Sequence, residues 1–255
     1  MASEERFGYE WQKYKEINSN YENQFQKWIT PFAPEIFKDK KVLDAGCGMG
    51  RNAFWALKYG ARELIAFDFD KRSVEAAKKN LAGYPNAKVE FKNISEISWQ
   101  NEFDITFSIG VIHHLKNPGL AIKNMIRALK PGGLILIWVY GYEGNELIVR
   151  WLNPIRINFT SKLPLPILHF LTYFLSIPLW TYLKIFPQKS PYFKQISGFS
   201  FSHLHSIIFD QLLPTIANYY KKEEAYQLLS EHNLKDIGIS RCNQNSWTVY
   251  GYKAD

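Results

Sequence analysis

The stretch Val42-Leu43-Asp44-Ala45-Gly46-Cys47-Gly48-Met49-Gly50-Arg51-Asn52 constrains this chain more than any other. It reads as a short buried strand, a turn with glycine at every second position, and the first residues of a helix. Glycine there lets a backbone approach a ligand with no Cβ in the way. A ligand in such a fold lies in the crevice at the carboxyl ends of the strands.

The residues that follow repeat the alternation. After the strand Lys41–Ala45, the pattern predicts a helix over 51–59, a strand over 63–68, a helix over 72–81 and strands over 88–91 and 103–109. A helix over 118–130, a Lys130-Pro131-Gly132-Gly133 turn and a strand over 134–140 complete the run, with Pro118 suited to a first helical turn. Nearly continuous apolar strands between amphipathic helices indicate a parallel sheet covered on both faces. Near the end, a helix over 222–232 precedes strands over 237–241 and 247–252, joined as a hairpin. The expected fold is therefore α/β, a Rossmann-like, doubly wound, mostly parallel seven-stranded sheet with a C-terminal antiparallel hairpin.

The glycine pattern excludes the nicotinamide-binding fingerprint G-x-G-x-x-G, because Arg51 stands where the third glycine or alanine belongs. Gly46-x-Gly48-x-Gly50, with Asp44 two residues ahead, instead resembles the first shared motif of the class I S-adenosylmethionine-dependent methyltransferases. Asp68, closing the second strand, sits where that family usually has an acid. Phe107-Ser108-Ile109-Gly110-Val111-Ile112-His113-His114-Leu115 resembles the segment after the fourth strand in small-molecule methyltransferases, including quinone and tRNA-uridine modifying ones. Leu129-Lys130-Pro131-Gly132-Gly133 resembles the turn before the family's fifth strand. The resemblance is strong over about residues 40 to 140 and weak over the closing hairpin. One position departs: many relatives carry an acid after the third strand, and this chain has Asn93-Ile94-Ser95. The Asn/Asp-Pro-Pro-Tyr signature of enzymes acting on base nitrogens or glutamine amides is missing, since Ser-Ile-Gly-Val stands there.

The resemblance implies an enzyme with S-adenosyl-L-methionine as cofactor. It implies a cofactor site built from Asp44, Gly46, Gly48, Arg51 and Asn52, then Asp68 and Phe69, then Ile94 and Ser95, and finally Ser108, Ile109, Gly110 and His113. Tyr14, with Tyr9 and Trp11, is expected to form an aromatic lid, since aromatic faces attract a cation such as a sulfonium. A packed helix face is the alternative reading of those aromatics. His113 and His114 are candidates for a general base or an acceptor orienter, because imidazole titrates near neutrality; packing beside the cofactor is the alternative. His203, His205 and Asp210 can fold over the same mouth. The two histidines are expected on one strand face or across a loop, and no metal is expected.

Three regions follow: an N-terminal helical arm over 1–38, a core over 39–140 and 215–255, and an insertion over 141–214. The insertion is rich in Leu, Ile, Phe, Tyr, Trp and Pro, and from Leu147 to Phe209 it holds no Asp or Glu. Arg150, Arg156, Lys162, Lys184, Lys189 and Lys194 are its cations. Its longest apolar run, Leu165 to Leu183, is nearly long enough to span a bilayer, but Pro178, His169 and the hydroxyl residues argue against a span. Three readings stay open: a cap over a lipophilic or anionic small molecule, a membrane-surface or lipid-linked-substrate element, and a homodimer interface.

Net charge is +7, which favours anionic partners. The cations of the insertion lie in a greasy segment rather than a polar stripe, which argues against nucleic acid. The leading expectation is methyl transfer to O, N or C of a small molecule. A tRNA-modifying enzyme of the same fold and a non-catalytic cofactor-binding or membrane-surface scaffold are the alternatives. Two cysteines without a CxxC pattern, and polar first residues, suggest a cytoplasmic protein, with a peripheral place at the inner membrane face left open.

Overall fold

The computed structural model describes Arg6, Phe7, Tyr9, Ile17, and residues 20 to 254 apart from Ser190. Strand β1 (Lys41–Ala45) pairs in parallel with β2 (Glu63–Asp68) on one side and with β4 (Phe103–Ile109) on the other. Strands β3 (Ala87–Phe91), β5 (Leu129–Tyr140), β6 (Leu234–Cys242) and β7 (Ser246–Lys253) complete a seven-stranded sheet of order β3-β2-β1-β4-β5-β7-β6. Strand β7 runs antiparallel to both of its neighbours, as the expected hairpin requires. This is the Rossmann-like α/β fold that the alternation indicated. The chain order reverses between β1 and β4, so a crevice opens beyond their carboxyl ends.

Period-two alternation along each strand feeds two cores, one per sheet face. Val42, Leu64, Ile105 and Phe107 point to one side, beneath α1 (Asn20–Trp28), α2 (Arg51–Lys58) and α3 (Lys71–Asn80). Leu43, Ile65, Ile135 and Ile137 point to the other, beneath α4 (Pro118–Ala128) and the late helix α9 (Lys222–Ser230). Asp70 caps α3 by accepting from the backbone N–H groups of Arg72 and Ser73, and Asn117 caps α4 through Leu120.

The Lys130–Gly133 turn is not a separate connection. The register jumps from Phe103↔Leu129 to Ile105↔Leu134, so these residues bulge out of a strand that already begins at Leu129. A Cβ on Gly133 would sit 2.9 Å from the Lys130 carbonyl, which leaves glycine the fitting residue.

Between β5 and α9 lie α5 (Asn153–Asn158), α6 (Leu165–Ile185), α7 (Pro191–Ser197) and α8 (Phe201–Leu212). Leu165, Leu168, Phe209, Leu212 and Leu213 form a small core there, and Leu183, Ile196, Phe199 and Leu204 form another. Arg6 ties the N-terminal arm to this insertion, beside Phe7 and Tyr9, which pack against its first small core. Arg6, almost fully buried, donates from Nε to the Leu213 carbonyl at 2.6 Å, and from Nη1 and Nη2 to those of Leu163 and Thr160.

Candidate active site

The glycine turn after β1 is held from beneath. Gly46 and Cys47 donate their N–H groups to the Phe67 carbonyl at the end of β2, at 3.0 and 2.9 Å. Gly48 N–H donates to Asp68 Oδ2 at 2.9 Å, and Asp70 N–H to Asp68 Oδ1 at 2.9 Å. Gly46, at φ +82°, leaves no room for a side chain, because a Cβ would lie 2.6 Å from Val111 Cγ2. The turn and the segment after β4 are therefore in direct contact, and together they wall a cleft.

Gly46, Gly48, Arg51, Asn52, Asp68, Phe69, Ile94, Ile109, Gly110, His114 and Asp210 all line this cleft, as the sequence led us to expect. Six of the expected residues do not. Asp44 is fully buried, with neither carboxylate oxygen hydrogen-bonded among the described residues. Burial first, and then the nearby Asp68, push its carboxyl well above the usual range. Ser108 is buried and donates to the Ala45 carbonyl at 2.7 Å, stitching β4 to β1. Ser95 takes part through its backbone: its N–H donates to Asn93 Oδ1 and its carbonyl accepts from Asn124. His113 is fully buried behind the cleft, its ring 3.9 Å from that of Tyr140, and burial drives its pKa far down.

His203 and His205 are the other two. The two histidines thought to share a strand face or loop instead stand on α8, where a two-residue step turns about 200° around the axis. His205 points into the insertion, against Ser176 Oγ at 2.7 Å and the Tyr173 ring at 4.1 Å. His203 points the other way, stacked on Phe199 at 4.1 Å and meeting the edge of Tyr21. Among the described residues no group of three His, Cys, Asp or Glu is placed to hold a metal ion. Of the expected aromatic lid, Trp11 and Tyr14 lie outside the described residues. Tyr9 packs in the insertion core near Phe209 rather than over the cleft, and the cleft is lined instead by Phe7.

A second, outer chamber adjoins the cleft. It is lined by Tyr21 and Gln24 of α1, Asn145 to Ile148 after β5, Phe193 and Ile196 of α7, and His203, Ser206 and Ile207 of α8. Trp28, Arg51, Trp138, Tyr140 and Asp210 line both spaces and so form the boundary between them. The Trp28 and Trp138 rings are 5.2 Å apart, and the Arg51 guanidinium lies over Trp28 at 5.1 Å and Tyr21 at 4.7 Å. Tyr140 accepts from Gln211 Nε2 at 3.1 Å and stacks on Tyr219. Sequence reasoning missed Trp28, Trp138 and Tyr140. The last two close the fifth strand at its carboxyl end and share a face, and that position was the signal available.

The titratable groups are tuned mainly by burial. Asp68 is pushed up to about 6 by desolvation, against hydrogen bonds from Asp70 and Gly48 that pull it down. His114 is pushed down to about 4, and the buried Arg156 adds to that. Its Nδ1 lies 2.7 Å from the Ile216 carbonyl, which can only accept. Nδ1 therefore carries the proton, and Nε2 keeps the lone pair. His203 falls to about 4 through burial and the charge of Arg51.

The residues present fit a ligand with a vicinal diol at one end and a cation near its middle. Each Asp68 oxygen has one backbone partner and a second lone pair to offer. Gly110 has nothing within 4 Å of where a Cβ would sit, so backbone there is approachable. The aromatic faces of Trp28, Trp138 and Tyr140, with Asp210, suit positive charge at the boundary.

Fold and cleft together define a Rossmann-like α/β domain with a ligand cleft at the carboxyl ends of its strands. Residues 36–150 match the family model described as a methyltransferase domain. The tRNA U34 carboxymethyltransferase of Helicobacter acinonychis (strain Sheeba) is 31% identical over 129 residues, 48% of each chain. The ubiquinone biosynthesis O-methyltransferase of Bartonella tribocorum is 28% identical over 46% of this chain and 51% of its own length. The chain thus spans about half the length of the curated relatives it matches. Names that specify tRNA do not fit the expectation against nucleic acid as a partner. Among solved structures, the N-methyltransferase NodS of Bradyrhizobium japonicum, in complex with S-adenosyl-L-homocysteine, superposes with a TM-score of 0.54 at 12% identity, covering 92% of this chain and 86% of that one. The magnesium protoporphyrin IX methyltransferase of Synechocystis gives 0.55 at 11% identity, covering 94% and 89%. At such identities the likeness is one of fold.

Proposed function

We propose that this protein transfers a methyl group from S-adenosyl-L-methionine to O, N or C of a small lipophilic or anionic molecule held in the outer chamber. The observation that carries this reading is the pair of adjoining spaces with Trp28, Arg51, Trp138, Tyr140 and Asp210 at their boundary. A displacement reaction needs two ligands that meet along one line with water kept out. Bound in the cleft, the cofactor would supply an electrophilic methyl on a sulfonium leaving group.

The chain's own residues align and shield. Asp68 would hold the ribose hydroxyls, the Gly46–Gly50 turn would receive the methionine end, and Phe69, Ile94 and Leu115 would flank the adenine. His114 Nε2 can accept a hydrogen bond from an acceptor O–H or N–H that loses its proton. With a pKa near 4 it is a weak base, so its main contribution would be orientation. Tyr140 and Asp210 stand at the boundary on the acceptor side and would place the nucleophile.

A second reading, methylation or related transfer to tRNA, is favoured by the named relatives and by the net charge of +7. One experiment separates the two. The protein is incubated with cofactor labelled in the methyl group, and either small-molecule extract or total tRNA is offered. Label in the extract supports the proposal. Label in tRNA, with tRNA binding that weakens steeply with salt, replaces it by the second reading.

A further inference from the structure

We propose that the outward face of α6 docks on a membrane surface bearing anionic lipid. The helix has a packed inner face, with Leu165, Leu168 and Leu183 in the insertion cores, and an exposed outer one. Its inner face carries the polar residues His169, Thr172 and Ser176, all buried, with Ser176 hydrogen-bonded to His205 at 2.7 Å. Its outer face carries Phe170, Phe174, Leu175, Ile177 and Ile185, each more than half exposed (51–65%). Scattered exposed apolar residues are ordinary, but Phe170, Phe174, Leu175 and Ile177 exposed together within about two turns of one helix are not.

Charge selects the occupant. From Leu147 to Phe209 the chain contains no acid, while Lys162 precedes α6 and Lys184 lies in its last turn. Lys184 sits 5.7 Å from the Trp180 ring, an aromatic and cation pair of the kind that suits a headgroup layer. A protein partner would meet cations at both ends of an apolar strip with no acid to complement its own basic groups. A lipid surface with negative headgroups satisfies both features at once. No helix of the described residues is long and apolar enough to cross a membrane, and the inner face of α6 is committed to α8, so the helix would lie flat on the surface.

The placement reaches the outer chamber. Leu183 of α6 packs with Ile196 and Leu204, and Ile196 and Ile207 of the same cluster line the chamber wall. Docking would hold that wall beside the lipid phase. The inference rests on surface geometry and does not require methyl transfer.

The test is flotation of the full chain with vesicles of phosphatidylcholine alone and of phosphatidylcholine mixed with phosphatidylglycerol. Thermal melting of each variant serves as the folding control. The wild type should bind the mixed vesicles at least about tenfold more tightly than the neutral ones. F170S/F174S should weaken that binding by about tenfold or more, and K162E/K184E should erase the preference for anionic lipid. No binding at millimolar lipid, or binding that both variants leave unchanged, would overturn the proposal. So would sedimentation showing self-association of the wild type that F170S/F174S abolishes, since a second copy would then be the occupant.

Discussion

Asp68 gives two opposite pH dependences from one side chain. Its carboxyl is pushed up to about 6, chiefly by burial. Only the ionised form accepts two donated hydrogen bonds on its remaining lone pairs. At pH 7 about nine-tenths of the carboxyl is ionised, and at pH 5 about one-tenth. Affinity for S-adenosyl-L-homocysteine should therefore fall by close to tenfold for each pH unit below about 6 and stay flat above 7. Stability of the free protein moves the other way. The folded pKa lies above the ordinary 3.8, so the folded state holds this proton more tightly than the unfolded one. The contribution is complete below pH 3.8 and is lost as pH rises through 6, by at most about 3 kcal/mol. Calorimetric titration from pH 5 to 8 and urea unfolding over the same range, on wild type and Asp68→Asn, isolate the group by difference. Asp68→Asn should bind about ten- to a hundredfold more weakly at pH 7.5 and lose the part of the pH dependence of both quantities that Asp68 supplies. If wild-type affinity is the same at pH 5 and 7.5, or Asp68→Asn binds within threefold of wild type, Asp68 does not hold the ribose.

The histidines set the acid limit. His114 and His203 have folded pKa values near 4, below the ordinary 6.5, so stability is full above 6.5 and is lost as pH falls toward 4. His114→Asn/His203→Asn should flatten that loss in urea titrations at pH 6.5 and 4.5, and an unchanged slope would contradict the burial assigned to them. Gly46→Ala should cost about 1–3 kcal/mol or more from backbone strain and the clash with Val111, read as a lowered urea midpoint. Phe209→Ala, which empties a fully buried site between α6 and α8, should cost about 3–5 kcal/mol in the same assay, and less than 1 would mean that the insertion core is not packed as described. Tyr140→Phe should leave cofactor affinity within threefold while slowing turnover of whatever acceptor the label identifies; equal turnover would remove Tyr140 from acceptor placement.

The sheet and the cleft were legible because each depends on local pattern. Four of the five parallel strands are mostly buried runs bounded by turns, β3 being the half-exposed edge, and Gly46, Gly48 and Asp68 lie at the ends of the first two. Ser108 and Ser95 were misjudged for a different reason. Their positions are right, but a side chain near a strand end can turn toward the neighbouring strand or stay at the surface, and spacing does not choose. Ser108 bonds β1, and Ser95 contributes only its backbone. The insertion was legible as composition and opaque as geometry. His203-Leu204-His205 alternates as a strand would, yet Ser200 caps a helix there by accepting from the His203 N–H, and the two rings part company. Trp28 lies in the N-terminal arm, where nothing local tells a core indole from one that also borders a cavity.

The three carbonyls gathered by Arg6 bear on the order in which the molecule can assemble. The guanidinium's partners lie 154, 157 and 207 residues further along the chain. Arg6 can therefore seat fully only after the chain has been made as far as Leu213. Until then the helical insertion lacks its clasp, and the cleft lacks Phe7 along its rim. A fusion partner placed ahead of Arg6 would act at this late step, and its first effect would be on the mouth of the site rather than on the sheet beneath it.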